Sequence, residues 1–407
     1  MGVRFSRVIV TAMVTIGSRS MAAQRPVTRA DAVDAAVRVG PRLSVARADT
    51  AVALAQLLAA RALPDPTLAA SYTKDVPQYH ASLELPVDFP WLRGPRIGSA
   101  EAARAAAQYR YTFARAAAAL DADTTYTRAL AANAHAELSR RNARDADSLR
   151  RMAAVRRDAG DASDLDVELA TVYAGQQANI AAGDSLAYVS TLLDLQTVMG
   201  ISSDSTVIVP TDSLAAPATV DGDGSAPVAT TLEVAAAEQA LNSARLAARL
   251  QHRSVLGAPS LTIGFDTHDP EGNEHGLLPV LGLAMPLPLF SRNRGAIAQA
   301  EAELVRARAE LALAEVEGAA RIARARRERA IALAKVQRDR VLVASANRVA
   351  AMSLTAYREG QSSLPNVLEA QRNAREILGQ YIDDVAAAWN ATASLRVFTL
   401  TVVSGSR

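Results

Sequence analysis

Cysteine is absent from this chain of 407 residues. That excludes a disulfide framework, cysteine-ligated zinc, a cysteine nucleophile and a lipobox for lipid anchoring. Aromatic residues make up 4% of the chain, which argues against an ordinary enzyme core rich in Phe, Tyr and Trp. Glycine (21) and proline (17) are too sparse for a disordered or collagenous chain. Beyond residue 30 no run reaches the roughly 18 consecutive apolar residues of a transmembrane helix, which excludes a polytopic inner-membrane protein. Neither sign of charge dominates: there are 44 basic and 42 acidic residues, and Lys74 and Lys335 are the only lysines. Nothing in that balance calls for a nucleic-acid partner.

What the chain has instead is small apolar side chains. Half its residues are hydrophobic, and alanine, the best helix former, supplies about a fifth of the chain. Alanine leaves little volume to fill, so the composition fits long, closely packed helices.

At the N-terminus Arg4 and Arg7 precede the apolar run from Val8 to Gly17, and Ser20-Met21-Ala22 offers small residues before a cleavage point. This layout predicts a secretory signal peptide over 1–22. A short anchor helix is the competing reading, but the run is too short to span a bilayer comfortably. The segment holds Arg4, Arg7 and Arg19 and no acid, so the mature chain carries 41 basic against 42 acidic residues.

The chain repeats itself. Gly160-Asp161-Ala162-Ser163 through Val167 aligns with Gly360-Gln361-Ser362-Ser363 through Val367 at an offset of 200 residues. Leu85-Pro86 and Ile97 align with Met285-Pro286 and Ile297 at the same offset. Pro66-Thr67-Leu68 aligns with Pro259-Ser260-Leu261 at an offset of 193, so the intervening hairpin is seven residues longer in the second copy. The repeats cover 23–199 and 230–407, with a linker of Ser, Asp, Thr, Gly and Pro over 200–229.

Each copy reads alike. A helix comes first, 28–62 or 231–256, the former opened by Thr28 and Asp31 as a capping box. A hairpin follows, over 66–90 or 259–290. There Leu68, Ala70 and Tyr72, Leu83, Leu85 and Val87, Leu261, Ile263 and Phe265, and Leu281, Leu283 and Met285 each alternate with polar or small residues. A long helix spans 98–159 or 297–359, with Ile297, Leu304 and Leu311 at heptad spacing. It ends at Gly160 or Gly360, where a left-handed cap is expected. Ser163 or Ser363 then caps a returning helix, 164–199 or 364–398. At about 1.5 Å per residue the long helices reach roughly 95 Å. The returning helix 164–199 and helix 231–256 placed end to end match that length, as do 364–398 and 28–62.

Four strands of about ten residues suit a tilted bilayer crossing. Tyr72, Tyr79, Phe89, Trp91, Phe265 and Phe290 cluster there like an interfacial girdle. Four strands cannot close a barrel, and open edges are not tolerated in lipid, so the barrel must be shared between chains. Two copies give eight strands and three give twelve. The alternative is a small soluble sheet packed on helices. The fold class expected is mostly α with a membrane β-barrel portion: a long antiparallel coiled-coil barrel plus four transmembrane strands per protomer.

These residues resemble the TolC-like outer-membrane efflux proteins over nearly the whole mature chain. Thr28 to Val33 with Gly40-Pro41-Arg42-Leu43 looks like that family's first helix, with Gly40 where Asn is usual. Leu63-Pro64-Asp65-Pro66-Thr67-Leu68 looks like its entry to the first strand. Tyr357 to Ser363 with Val367-Leu368-Glu369-Ala370-Gln371 is similar to its periplasmic-tip motif. Gly257 to Leu261 and Pro286 to Ile297 look most like the heavy-metal (cobalt–zinc–cadmium type) branch. The resemblance implies a homotrimer with a twelve-stranded barrel in outer-membrane lipid and a helical tunnel across the periplasm of a Gram-negative-type cell. It also implies a periplasmic adaptor (membrane fusion protein) and an inner-membrane pump of the RND type as partners. It implies no cofactor and no enzyme chemistry: the protein would passively conduct substrate, with divalent heavy-metal cations expected. A multidrug-efflux or type I secretion channel is the alternative within the fold. A soluble periplasmic adaptor or coiled-coil scaffold is the alternative from another class, disfavoured because no segment is left for lipoyl-like or barrel domains.

Several residues are candidate sites. The resemblance makes Gly160, Asp161, Ser163, Gly360, Ser362 and Ser363 expected adaptor contacts at the tip; as turns and caps they also explain themselves. Asp158, Asp161, Asp164 and Asp166 gather four acids near the tunnel mouth. Asp158, Asp161 and Asp164 are candidates for a cation-attracting gate, against the plainer reading of helix-dipole and solvent contacts. His268, Asp269, Glu271, Glu274 and His275 are metal-ligand types within one hairpin tip, at a spacing that matches no standard site. The five arginines from Arg321 to Arg329 lack interleaved aromatics and read as a solvated helix face rather than a nucleic-acid site. No catalytic constellation stands out.

Overall fold

The computed structural model describes residues 25–75, 77–201, 208–217, 230–256, 259–267, 277–288 and 290–401. The expected signal peptide, much of the linker 200–229 and the hairpin tip with His268, Asp269, Glu271, Glu274 and His275 lie outside them.

Helices dominate. They run α1 Arg29–Val39, α2 Pro41–Arg61, α3 Pro90–Asp158, α4 Asp164–Met199, α5 Leu232–Arg253, α6 Arg294–Arg358 and α7 Leu364–Phe398. The strands are β1 Arg25–Val27, β2 Thr67–Tyr72, β3 Tyr79–Pro86, β4 Ile208–Pro210, β5 Ser260–Thr267 and β6 Leu278–Ala284. The order helix, two strands, long helix, returning helix occurs twice.

The opening helix differs from the single rod expected over 28–62. It starts at the Thr28 capping box, where Thr28 and Asp31 bond each other's backbone N–H. It then breaks at Gly40, whose ψ of 127° is non-helical. A Cβ at Gly40 would sit 2.1 Å from the Ala36 carbonyl oxygen, so only glycine fits. Pro41 restarts the chain at the first turn of α2, where its missing N–H costs nothing. A segment of 18 residues within Arg29–Arg61 is apolar enough, by length and composition alone, to cross a membrane.

The first long helix also starts earlier than expected, at Pro90 rather than residue 98, and includes Pro95. Proline removes the donor that would bond the carbonyl four residues back. Here that carbonyl belongs to Trp91, and Arg253 Nη1 at the end of α5 donates to it at 3.2 Å. The helix survives its proline because a neighbouring helix supplies the missing partner. Trp91 also stacks on Phe89 with ring centroids 4.1 Å apart.

The packing between long helices is mostly alanine. On α6 the buried positions include Ala300, Ala307, Gly318, Ala325 and Ala332, spaced by seven residues except for the eleven between Ala307 and Gly318, and their small size allows close approach. Larger side chains fill the cores at the equator and near the turns. At the equator Val27, Tyr126, Leu195 and Ile208 are almost wholly buried together.

The described part of the linker over 200–229 contributes Ile208 and Leu214 to that equatorial core. It folds back, with β4 pairing parallel to β1. The Tyr126 hydroxyl lies 2.9 Å from Val27 O and 2.8 Å from Asp212 Oδ2 and shares its one hydrogen between them. Asp212 also accepts the Arg29 backbone N–H at 2.8 Å. The Arg29 guanidinium bonds Asp123 and lies 4.3 Å from the Trp389 ring centroid, and Trp389 Nε1 donates to Ala215 O at 2.6 Å.

The end-to-end pairing of the shorter helices is exchanged. The end of α4 meets the α1–α2 break, where a Cβ on Gly200 would lie 3.3 Å from Val39 O. The end of α7 meets the start of α5: Leu232 N–H donates to Leu400 O at 3.4 Å, and Thr231 bridges to Thr401. The inward-folded equatorial segment separates α4 from α5 along the chain, which frees α5 to continue α7.

Candidate functional site

The four strands β2, β3, β5 and β6 form one antiparallel sheet in that order. Its register places Leu68, Leu83, Ile263 and Leu281 opposite one another in a single row, and Leu85, Leu261 and Leu283 in the next. Directly opposed residues share a face, so one face is an apolar band. It is exposed, to 75% at Leu68 and 78% at Leu281. The other face carries Ser71, His80 and Asp266 in one row and Thr67, Glu84 and Thr262 in another. His80 Nδ1 lies 2.8 Å from Asp266 Oδ1, Thr73 Oγ1 lies 3.1 Å from His80 Nε2, and Ser260 donates to Glu84. Polar groups on this face thus satisfy one another, while the apolar face has no cover among the described residues. The edge strands β2 and β6 have no second partner among the described residues.

The opposite end of the molecule is two turns. Gly160 and Gly360 take the left-handed conformation, with φ of 84° and 76°. Each turn closes by the same two bonds: Gly160 N–H to Arg157 O and Asp161 N–H to Arg156 O, Gly360 N–H to Tyr357 O and Gln361 N–H to Ala356 O. This is the Schellman ending, which satisfies carbonyls left over at a helix C-terminus. Ser163 then caps α4 in a full capping box with Asp166. Ser363 occupies the equivalent position before α7, but its side chain makes no cap bond, and Pro365 lies in the first turn instead.

The structure brings Gly160, Asp161 and Ser163 onto one turn and Gly360, Ser362 and Ser363 onto the other. A residue not singled out in the sequence joins the two. Arg156 donates to Tyr357 O and to Asp161 O, and its guanidinium lies 4.7 Å from the Tyr357 ring centroid. Burial pushes the Tyr357 phenol above its ordinary pKa. The neighbouring Arg157 bonds Asp158 at 2.6 Å and lies 3.8 Å from Asp164. The hydrogen bond and the charge of Asp158, with the charge of Asp164 adding to them, raise the pKa of Arg157. Of the three candidate gate acids, Asp158 and Asp164 are therefore partly neutralised. Asp161 is exposed and makes no ion pair among the described residues. A second link missed in the sequence joins the returning helices: Arg375 on α7 donates to Gln177 and to the Tyr173 hydroxyl on α4. Basic residues in the last turn of a helix were the available signal for Arg156 and Arg157. Among the described residues no group of three metal-ligating side chains converges.

No family model matches the chain, and no curated protein matches it in sequence. Solved structures do match in fold. A membrane protein from Pseudomonas aeruginosa superposes with a TM-score of 0.77 at 20% identity, covering 91% of this chain and 93% of its own. The CmeC outer membrane channel of Campylobacter jejuni gives 0.77 at 15% identity, covering 91% and 85%. The outer membrane protein VceC of Vibrio cholerae gives 0.75 at 15% identity, covering 92% and 96%. CusC gives 0.72 at the same identity, so the comparison does not single out one branch. The chain shares the fold of TolC-like outer-membrane channels: long paired helices with a strand portion at one end.

Proposed function

We propose that this protein is the outer-membrane channel of a tripartite efflux system. One observation carries the reading. A four-stranded sheet, apolar and exposed on one face and open at both edges, is joined to helices of 69 and 65 residues. Open edges and a bare apolar face suit lipid only when further copies of the sheet close a barrel. Three copies give twelve strands, and the polar face with His80, Asp266 and Glu84 then lines the lumen. The helices, at about 1.5 Å per residue, form a periplasmic tunnel roughly 100 Å deep. The tip turns around Gly160, Asp161, Ser163, Gly360, Ser362 and Ser363 meet a periplasmic adaptor, which in turn engages an inner-membrane pump of the RND type. The protein performs no chemistry and needs no cofactor. Asp161 is the acid best placed to attract cations at the mouth.

The resemblance of Pro286 to Ile297 to the heavy-metal branch supports divalent cations as cargo. The experiment is fractionation of cells expressing the full chain, followed by mass measurement in detergent. Outer-membrane recovery as a trimer supports the reading; a soluble monomer sinks it. Loss of zinc or cobalt tolerance on deletion, restored by the gene, tests the cargo separately.

A further inference from the structure

Behind the tip turns, α3, α4, α6 and α7 leave a cavity of about 310 Å³ between them. Its floor is apolar, formed by Leu149, Met152, Leu354 and Val367. Leu149 and Val367 belong to the buried core of the tip. Its polar side is rich in donors. Asn142 lines the cavity, and its Nδ2 is buried with no hydrogen-bond partner. The Tyr173 hydroxyl accepts from Arg375, which leaves its own hydrogen available to the cavity. Arg358 stands exposed at the rim. Against these, Asp145 is one acidic acceptor at the rim.

The volume is at the lower end for small-molecule sites, and the lining is mixed, with Ser148 and Gln371 beside Asn142, Asp145, Tyr173 and Arg358 on its polar side. A buried amide donor without a partner is a liability that a ligand oxygen removes. We propose that this cavity binds a small organic monocarboxylate with an apolar body. Its carboxylate would accept from Asn142 and Arg358, and its body would lie on Met152 and Leu354. Such a ligand touches all four helices and ties the tip together. The proposal stands on the cavity alone and does not need the channel reading.

The test uses the purified full chain in detergent with 4-fluorobenzoate as probe, observed by fluorine NMR. Saturable broadening at one site per protomer is expected. Met152→Trp fills the cavity and abolishes it. Asn142→Leu and Arg358→Gln each weaken it about tenfold, the loss of roughly one charge-assisted hydrogen bond. Arg358 is exposed, so its variant remains informative where a cavity variant fails to fold. The amine 4-fluorobenzylamine, equal in shape and opposite in charge, does not compete. Broadening that never saturates, that is the same in Arg358→Gln, or that the amine displaces equally well overturns the proposal.

Discussion

Lys335 on α6 and Asp384 on α7 form an ion pair across the helix pair, with Asp339 of α6 close enough to feel the same carboxylate. Asp384 is buried, and its two oxygens accept from Lys335 Nζ at 3.3 Å and Gln380 Nε2 at 3.1 Å. Burial opposes its ionisation, but hydrogen bonds from Gln380 and Lys335 outweigh that and hold its carboxyl below the usual range. Burial first, and then the Asp384 carboxyl, push Asp339 up. Arg338 also faces the pair, and the adjacent Asp383 is occupied by His135 of α3 at 2.9 Å.

The pH dependence follows. Asp339 has a raised folded pKa, so its contribution is complete below the ordinary carboxylate value of 3.8 and is lost as pH rises through the raised value. Asp384 has a lowered one, so its contribution is present above that value and is lost only in stronger acid. Asp339→Asn removes the charge. It should raise stability at pH 7.5 by about 1 kcal/mol and leave it unchanged near pH 4. Asp384→Asn should cost about 1–3 kcal/mol at pH 7.5, because Lys335 loses its carboxylate. Urea unfolding at the two pH values measures both.

Tyr126 ties the equator together, and burial, with the Asp212 carboxylate beside it, raises its phenol to about 12. In a spectrophotometric titration of the folded protein, one tyrosine should ionise only near that value. The stabilisation is complete below pH 10 and is lost between 10 and about 12. Tyr126→Phe abandons the bonds to Val27 and Asp212 and should cost about 1–3 kcal/mol. Hydrogen exchange at β1 and β4 should accelerate with it.

The bond from Arg253 to Trp91 exists because Pro95 cannot supply one. Arg253→Met alone should destabilise by about 1 kcal/mol. Paired with Pro95→Ala, which restores the helical N–H, the same change should cost much less. A double-mutant cycle reads this coupling directly. Additive effects would mean that the guanidinium does not replace the missing helical donor.

Both tip turns depend on left-handed glycines. Gly160→Ala and Gly360→Ala should each cost about 1–2 kcal/mol. Neither change removes a hydrogen bond, so local proteolysis at the turn should rise before global unfolding does.

Some of this was legible in the sequence for identifiable reasons. The sheet is readable because each strand alternates, and the row Leu68, Leu83, Ile263, Leu281 keeps that alternation in phase across all four strands. The break at Gly40 was obscured because α1 and α2 carry one apolar pattern across it. Pro95 argues against a helix unless Arg253, 158 residues away in sequence, is known to take up the freed carbonyl. β4 is three residues long and too short to show a period. The swapped stacking of α4 and α7 is tertiary and leaves no local mark. At the tip, glycine and the capping pair Ser163 and Asp166 carry local signals. Arg156 and Arg157 looked like ordinary helix residues, and only the fold shows that one bridges the turns and the other screens Asp158 and Asp164.

The central claim is that several copies close the open sheet into a conducting barrel. Single-channel recording of the purified protein in planar bilayers tests it most directly. The account predicts discrete openings, with cation selectivity that falls in Asp161→Asn and rises in Arg157→Ala. A preparation that is well folded by circular dichroism yet never inserts or conducts would contradict it.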